Sequence, residues 1–290
     1  MKHLTLTSSF LLSLTNPMLA QTSTTDYWAF ATFEASLYGF TSANERVLIT
    51  SSLTASPTAY AANHLATDSA NNRIIYALNE LPNNASSDVV AIFEYDLATN
   101  TRTNITGTAN LASTVGVSLG GGSFYDGAYY LWDDYGSAQG LVRFTFDSNG
   151  VINGSSKPYG NDNSIGLLGD IAIDRNGQLF ILNADNELYR ADLNNTSVSP
   201  TLVGDYSAYL GNGQLFVDAD GQLISRADSS ADWVILDPEQ PGILGTLTGP
   251  SQFSAYSDLA EGGIVGVVPE PSATACLLLG GLLSTRRRRN

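Results

Sequence analysis

The chain has 290 residues, 43% of them hydrophobic, yet only 14% are charged, against about 25% in an average soluble domain. Lys and Arg number 13 and Asp and Glu 28, for a formal net charge of −15. Such a balance repels nucleic acid and anionic lipid and leaves cations, neutral glycans or plain solubility as its uses. It is also uneven: Lys2, Arg286, Arg287, Arg288 and Arg289 stand at the ends, so the middle is more acidic than the whole. The one cysteine, Cys276, lies near the C-terminus, which leaves the middle no disulfide.

The N-terminus reads "MKHLTLTSSFLLSLTNPMLAQTSTT". Lys2, a short apolar run over 4–14 and the small residue Ala20 before a polar stretch predict a secretory signal over 1–20, cut after Ala20. That apolar run is too short to span a membrane.

The exported part is expected to run from 21 to 263 and to be all-β. Its first stretch, "DYWAFATFEASLYGFTSANERVLIT", reads as three strands with no strand before them. From there on, two kinds of segment alternate. One kind is "HLATDSANNRIIYALNE", "GGSFYDGAYYLWDD", "GDIAIDRNGQLFILNAD" and "GQLFVDADGQLISRADS", each a strand, a tight turn and a strand. The turns carry Asp126-Gly127, Asn176-Gly177 and Asp220-Gly221, which predict type I′ hairpins because such turns need positive φ. The other kind is "IFEYDLATNTRTNIT", "LVRFTFDSNG" and "ELYRADLNNTSVSPTLVG", with period-2 alternation around a polar turn. Together they make units of four short strands beginning near His64, Gly120, Leu168 and Gly213, the period of a β-propeller blade. Near the end, "SDLA" echoes "GDIAID" as a first strand with no partners after it. A composite blade shared by the two ends then closes a five-bladed ring and hides the sheet edges. A β-sandwich is the alternative.

Chemistry is sparse. "GVSLG" matches a nucleophile elbow at Ser118, but glycine and a strand follow it rather than a helix, and no histidine comes later. His64 is the only histidine beyond the signal, so a histidine-rich zinc or iron site is not available. No metal ligands and no cofactor are assigned. Oxygen-ligated calcium stays open, with "DADG" at 218–221 as half of a calcium loop or, more simply, a hairpin turn. His64, Asp170 and Asp258 align at the innermost strands, one per blade. They are funnel candidates for glycoside cleavage or for holding calcium, unless the acids cap turns. The aromatic clusters Tyr27, Trp28, Phe30, Phe33 and Tyr129, Tyr130, Trp132 read as inter-sheet core, with sugar stacking as the alternative.

The chain closes on "VPEPSATACLLLGGLLSTRRRRN". Residues 272–285 are apolar or small, predicting a short transmembrane helix, and Arg286 to Arg289 form a stop that stays in the cytoplasm. This tail resembles the PEP-CTERM sorting signal of Gram-negative bacteria, on Pro269-Glu270-Pro271, the apolar segment and the terminal arginines. The resemblance implies an exosortase-type membrane protease as partner, and export to the outer surface or to exopolysaccharide and biofilm material. It covers about the last 23 residues, within a linker-and-signal segment over 264–290. The resulting expectation is an exported, non-enzymatic β-propeller at the periplasmic side of the membrane, the outer surface or the extracellular matrix, contacting exopolysaccharide or other envelope components. The alternative is a carbohydrate-active or lactone-cleaving hydrolase using the funnel.

Overall fold

The structure is a computed structural model. It describes residues 24–33, 35–43, 45–54, 60–80, 89–107, 111, 121–133, 140–160, 165–166, 168–227, 232–247 and 258–267. Residues 24–267 make one compact unit.

Among the described residues, twenty strands form five four-stranded antiparallel sheets. The first sheet joins the two ends of the unit: β1 (Thr24–Phe33), β2 (Ser36–Thr41) and β3 (Arg46–Thr50) follow β20 (Asp258–Val267) in the order β20-β1-β2-β3. The second is β4 (Tyr60–Asp68), β5 (Arg73–Glu80), β6 (Val89–Asp96) and β7 (Thr101–Asn104). The third is β8 (Gly122–Tyr125), β9 (Ala128–Asp133), β10 (Gly140–Phe146) and β11 (Ile152–Ser156). The fourth is β12 (Leu168–Ile173), β13 (Gln178–Asn183), β14 (Glu187–Asp192) and β15 (Thr201–Asp205). The fifth is β16 (Leu210–Val217), β17 (Leu223–Ala227), β18 (Trp233–Leu236) and β19 (Ile243–Leu247). The innermost strands β20, β4, β8, β12 and β16 each touch the next, and β16 returns to β20. This is a five-bladed β-propeller whose first blade is the composite one. Chain-end pairing does for the ring what barrel closure does for a barrel: the innermost edges meet each other rather than solvent.

The core is a set of blade interfaces. Five apolar clusters are present, one for each pair of neighbouring blades. Side-chain alternation along a strand sends successive residues to opposite clusters. On β5, Ile74 and Tyr76 pack toward the first blade while Ile75 and Ala77 pack toward the third. On β9, Tyr129 and Leu131 face the second blade while Tyr130 and Trp132 face the fourth. The second strand of a blade is therefore buried on both faces, which is why it reads as an unbroken apolar run. The ring-closing interface is aromatic. Trp233 of the fifth blade lies 5.2 Å from Trp28, 5.3 Å from Phe40 and 5.4 Å from Phe216, all edge-on, each such pair adding about 0.5–1.5 kcal/mol beyond its buried area. Tyr129, Tyr130 and Trp132 are at most 4% exposed, so these rings are core and not a sugar platform.

Two local expectations are corrected. Of the three hairpin turns, only Asp126-Gly127 has positive φ at both residues, 46° and 69°. At Asn176-Gly177 and Asp220-Gly221 only the glycine does. The loops there are longer: Asp174 N–H reaches Gln178 O, and Gly177 N–H returns to Asp174 O. The loop-opening aspartate decides this, since Asp174 Oδ1 accepts from the N–H groups of Asn176 and Gln178 and makes an Asx turn. Asp218 does the same for Asp220 and Gln222, so "DADG" is a hairpin turn with its carboxylate turned onto the main chain. The second correction concerns the end of the propeller, expected at 263 with "EGGIVGVV" as a tether. Strand β20 continues to Val267, which pairs with Thr24. The register slips between Tyr27 and Ala29, where a Cβ on Gly262 would strike the Tyr27–Trp28 backbone. That glycine lets the paired strand pass the bulge and is no sign of a linker.

Among the described residues, no helix is long and apolar enough to cross a membrane. The segments read as signal (1–20) and as transmembrane helix (272–285) lie outside the described residues, as does Ser118.

Candidate functional site

The funnel candidates sit where the innermost strands begin. Asp170 and Asp258 are fully buried, and their carboxyl groups hydrogen-bond to each other. Each also accepts main-chain N–H groups. Asp258 Oδ1 accepts from Leu259 at 2.8 Å and Oδ2 from Leu65, and its carboxylate also accepts from Gly122. Asp170 Oδ1 accepts from Ile171 at 2.7 Å and Oδ2 from Leu215 at 2.6 Å. Asp258 belongs to the first blade, Leu65 to the second, Gly122 to the third, Asp170 to the fourth and Leu215 to the fifth. Two carboxyl groups thus tie together the innermost strands of all five blades.

Charge is scarce in this hub. Burial pushes the Asp170 carboxyl well above its ordinary range, and the neighbouring charge of Asp258 pushes it further. Burial raises Asp258 as well, against the pull of its amide donors and of Asp170. The two carboxyls titrate as a pair, both held above the ordinary carboxylate range, because two bare carboxylates in one dry site repel. The Tyr129 hydroxyl is driven up by burial and then by the Asp258 charge. Gly121 completes the seat, since a Cβ there would run into the Asp170 carboxylate.

His64 is also fully buried, but its main chain is what reaches the hub. It has φ of 56° at an irregularity in β4 between Asn63 and Ala66. Its carbonyl accepts from Tyr129 Oη at 2.5 Å. A Cβ on Gly122 would collide with that carbonyl. The two acids and the His64 carbonyl are therefore neighbours, and the carboxyls face main-chain N–H groups rather than an open cavity. The channel beyond them has a volume of about 20 Å³, room for about one water. Ala66, Thr67, Ser123, Ile171, Leu259 and Glu261 are among the residues that line it. Desolvation in the channel wall, and secondarily the Asp218 charge, raises the Glu261 carboxyl to about 7.

A second site was not singled out in the sequence. Where the innermost strands end, a cleft of about 490 Å³ opens between the second and third blades. Arg73 stands in it, 9% exposed. Its Nε donates to Asp68 Oδ2 at 2.9 Å and its Nη1 to Glu94 Oε2 at 2.8 Å. Its guanidinium lies over the Phe146 ring at 4.8 Å. Asp96 and Asp147 also line the cleft. The available sequence signal was the recurring Asp that opens a polar turn, at Asp68, Asp96 and Asp147, followed each time by a left-handed residue at Asn72, Asn100 or Gly150. Among the described residues, no group of three or more His, Cys, Asp or Glu side chains is placed to hold a metal ion. Pro269, Glu270, Pro271 and Arg286 to Arg289 lie outside the described residues.

No protein-family model matches the chain, and no curated protein does. Solved structures are similar in fold. A chain of a nidogen–laminin complex aligns with a TM-score of 0.48 at 9% identity, covering 84% of this chain and 99% of that one. The structure of YCF48 bound to D1 peptide aligns at 0.41 and 12%, covering 79% and 70%. Virginiamycin B lyase from Staphylococcus aureus aligns at 0.42 and 11%, covering 78% and 71%.

Proposed function

We propose that the chain is an exported, non-enzymatic β-propeller of a Gram-negative bacterium, held at the cell surface or matrix by its C-terminal signal, where it contacts neutral exopolysaccharide. The observation that carries the non-enzymatic part is the hub. Asp170 and Asp258 spend their oxygens on main-chain N–H groups of five strands. General acid–base work needs carboxyls within reach of a substrate, and among the described residues these line neither the channel nor the larger cleft between the second and third blades. A hydrolase built on His64, Asp170 and Asp258 is therefore not favoured.

Support for the address comes from sequence. The order Pro269-Glu270-Pro271, apolar run, Arg286–Arg289 suits an exosortase-type membrane protease, and the apolar leader at 4–14 suits export. The test is fractionation of cells producing the full chain or a form ending at Val268. The full chain should stay with the envelope or matrix, and the truncated form should appear in the soluble exported fraction. Equal retention of both would remove the sorting reading.

A further inference from the structure

The cleft between the second and third blades has the chemistry of a ligand site. Its volume of about 490 Å³ is within the range of small-molecule sites, roughly 300–1,000 Å³. Its walls mix three kinds of group. Carboxylates at Glu94, Asp96 and Asp147 supply acceptors. Asn71, Ser148 and Asn149 supply donors and acceptors together. Phe124 and Phe146, 6.2 Å apart, supply apolar surface.

The interior is set before any ligand arrives. Arg73 is fixed by Asp68, Glu94 and the Phe146 ring, and it donates to Gly150 O at 3.5 Å, which ties the second blade to the β10–β11 turn. Asp147 Oδ1 is committed to the N–H groups of Asn149 and Val151, at 2.8 and 3.0 Å. These bonds hold its carboxyl below the ordinary range, so it is ionised at neutral pH. Asp96 Oδ1 is committed in the same way to Ala98 and Thr99. The Asn149 side chain also hydrogen-bonds the Asp147 carboxylate, so the acid, the amide and the turn present one preset polar edge to the cleft.

Charge and donor pattern together select the ligand class. Four carboxylates face one guanidinium, and that excess repels phosphates, sulfates and uronic acids. A cationic chain would need acceptors alone and would meet Arg73 at the centre. A hydroxyl both donates and accepts, and a pyranose ring offers a C–H face to an aromatic edge. We propose that this cleft binds a neutral, hydroxyl-rich glycan segment. The proposal rests on the surface reading above for its biological setting and names the place of contact.

The test uses the full chain with a panel of neutral polysaccharides (dextran, cellulose oligomers, agarose oligomers, galactomannan), alginate as the anionic probe and oligolysine as the cationic one. Binding is read by affinity electrophoresis and calorimetry. At least one neutral polysaccharide should bind, and alginate should not. Ser148→Trp, which fills the cleft from an exposed turn position, should weaken that binding at least tenfold. Asp147→Asn, which keeps the Oδ1 acceptor of the turn, should weaken it several-fold. Unchanged melting temperatures would show that both variants fold. Absence of binding to every neutral probe, binding to oligolysine alone, or full binding by the folded Ser148→Trp variant would each overturn the proposal. None of these results depends on where the chain is sorted, so a failure here is distinct from a failure of the fractionation test.

Discussion

Two carboxylate-rich regions of the ring behave in opposite ways. The hub, where the innermost strands begin, has Asp170 and Asp258 sealed from water, hydrogen-bonded to each other and saturated with main-chain donors. The cleft, where those strands end, has Asp147 ionised on an exposed turn and Arg73 partnered by the buried Asp68 and by Glu94, which solvent partly reaches. The residue type is the same and the difference is what fills the space around it. At the hub five chain segments converge and supply the hydrogen bonds that water would have made. At the cleft two neighbouring blades splay apart, and Asp96 and Asp147 bond to their own turns, on residues that solvent reaches. Carboxylates in a propeller are thus frame where strands converge and surface chemistry where they diverge.

The largest expected effect comes from breaking the frame. Asp258→Ala removes the acceptor for Leu65, Gly122 and Leu259 and strands Asp170 beside the gap. Leaving buried amides unsatisfied costs about 1–3 kcal/mol each, with losses that do not simply add, so a total of ~3–5 kcal/mol is expected. Chemical denaturation of the wild type and variant would measure it. A loss under about 1 kcal/mol would mean that the five blades are held by their apolar interfaces and that the hub is incidental.

The fold was legible at the level of the blade and the hub was not. Turn-forming dipeptides and apolar periodicity gave the unit length, and the echo of "GDIAID" in "SDLA" placed the missing strand of the first blade at residue 258. That echo is the hub itself: both segments supply an aspartate at the same point of an innermost strand. Sequence could align them but could not show that they meet, because the meeting depends on ring closure between residues 88 positions apart. It could not show either that their partners would be amides, since a backbone N–H leaves no mark in composition. The cleft was hidden for a related reason. Arg73, Asp96 and Phe146 come from three strands of two blades, and each alone is an ordinary residue beside a turn. Strand β20 was cut short because Gly262 and Gly263 read as a linker, and only the bulge opposite them gives glycine a place inside a strand.

A smaller effect follows from the raised hub carboxyls. An unfolded aspartate titrates near 3.9, while Asp170 stays protonated in the ring well above that. Between those two values the folded protein holds a proton that the unfolded chain has lost. Stability therefore falls as pH rises through this window, by up to about 1.4 kcal/mol per pH unit for the one proton. Glu261, raised to about 7, acts in the same direction from about 4.5 upward. Asp170→Asn mimics the protonated acid and keeps a donor for Asp258. Its stability should decline less steeply with pH than that of the wild type, with Asp258 and Glu261, both raised, left to account for the remainder. Parallel profiles would place the proton elsewhere.

The smallest effect is expected at the cleft, and it measures how far that region differs from the hub. Arg73→Lys keeps the positive charge but loses the planar fork that serves Asp68 and Glu94 at once and the flat face laid on Phe146. One of the two pairs can re-form through the ammonium, and Glu94, 24% exposed at its side chain, can turn to water. A cost of about 1 kcal/mol is expected. Because the Asp68 pair is buried and the Glu94 pair is not, added salt should erode only part of the difference between the two proteins. A cost matching that of Asp258→Ala would make Arg73 a second hub that locks the second blade to the third. The cleft would then be a seam of the frame, with its acids there to hold an arginine and not to meet a ligand.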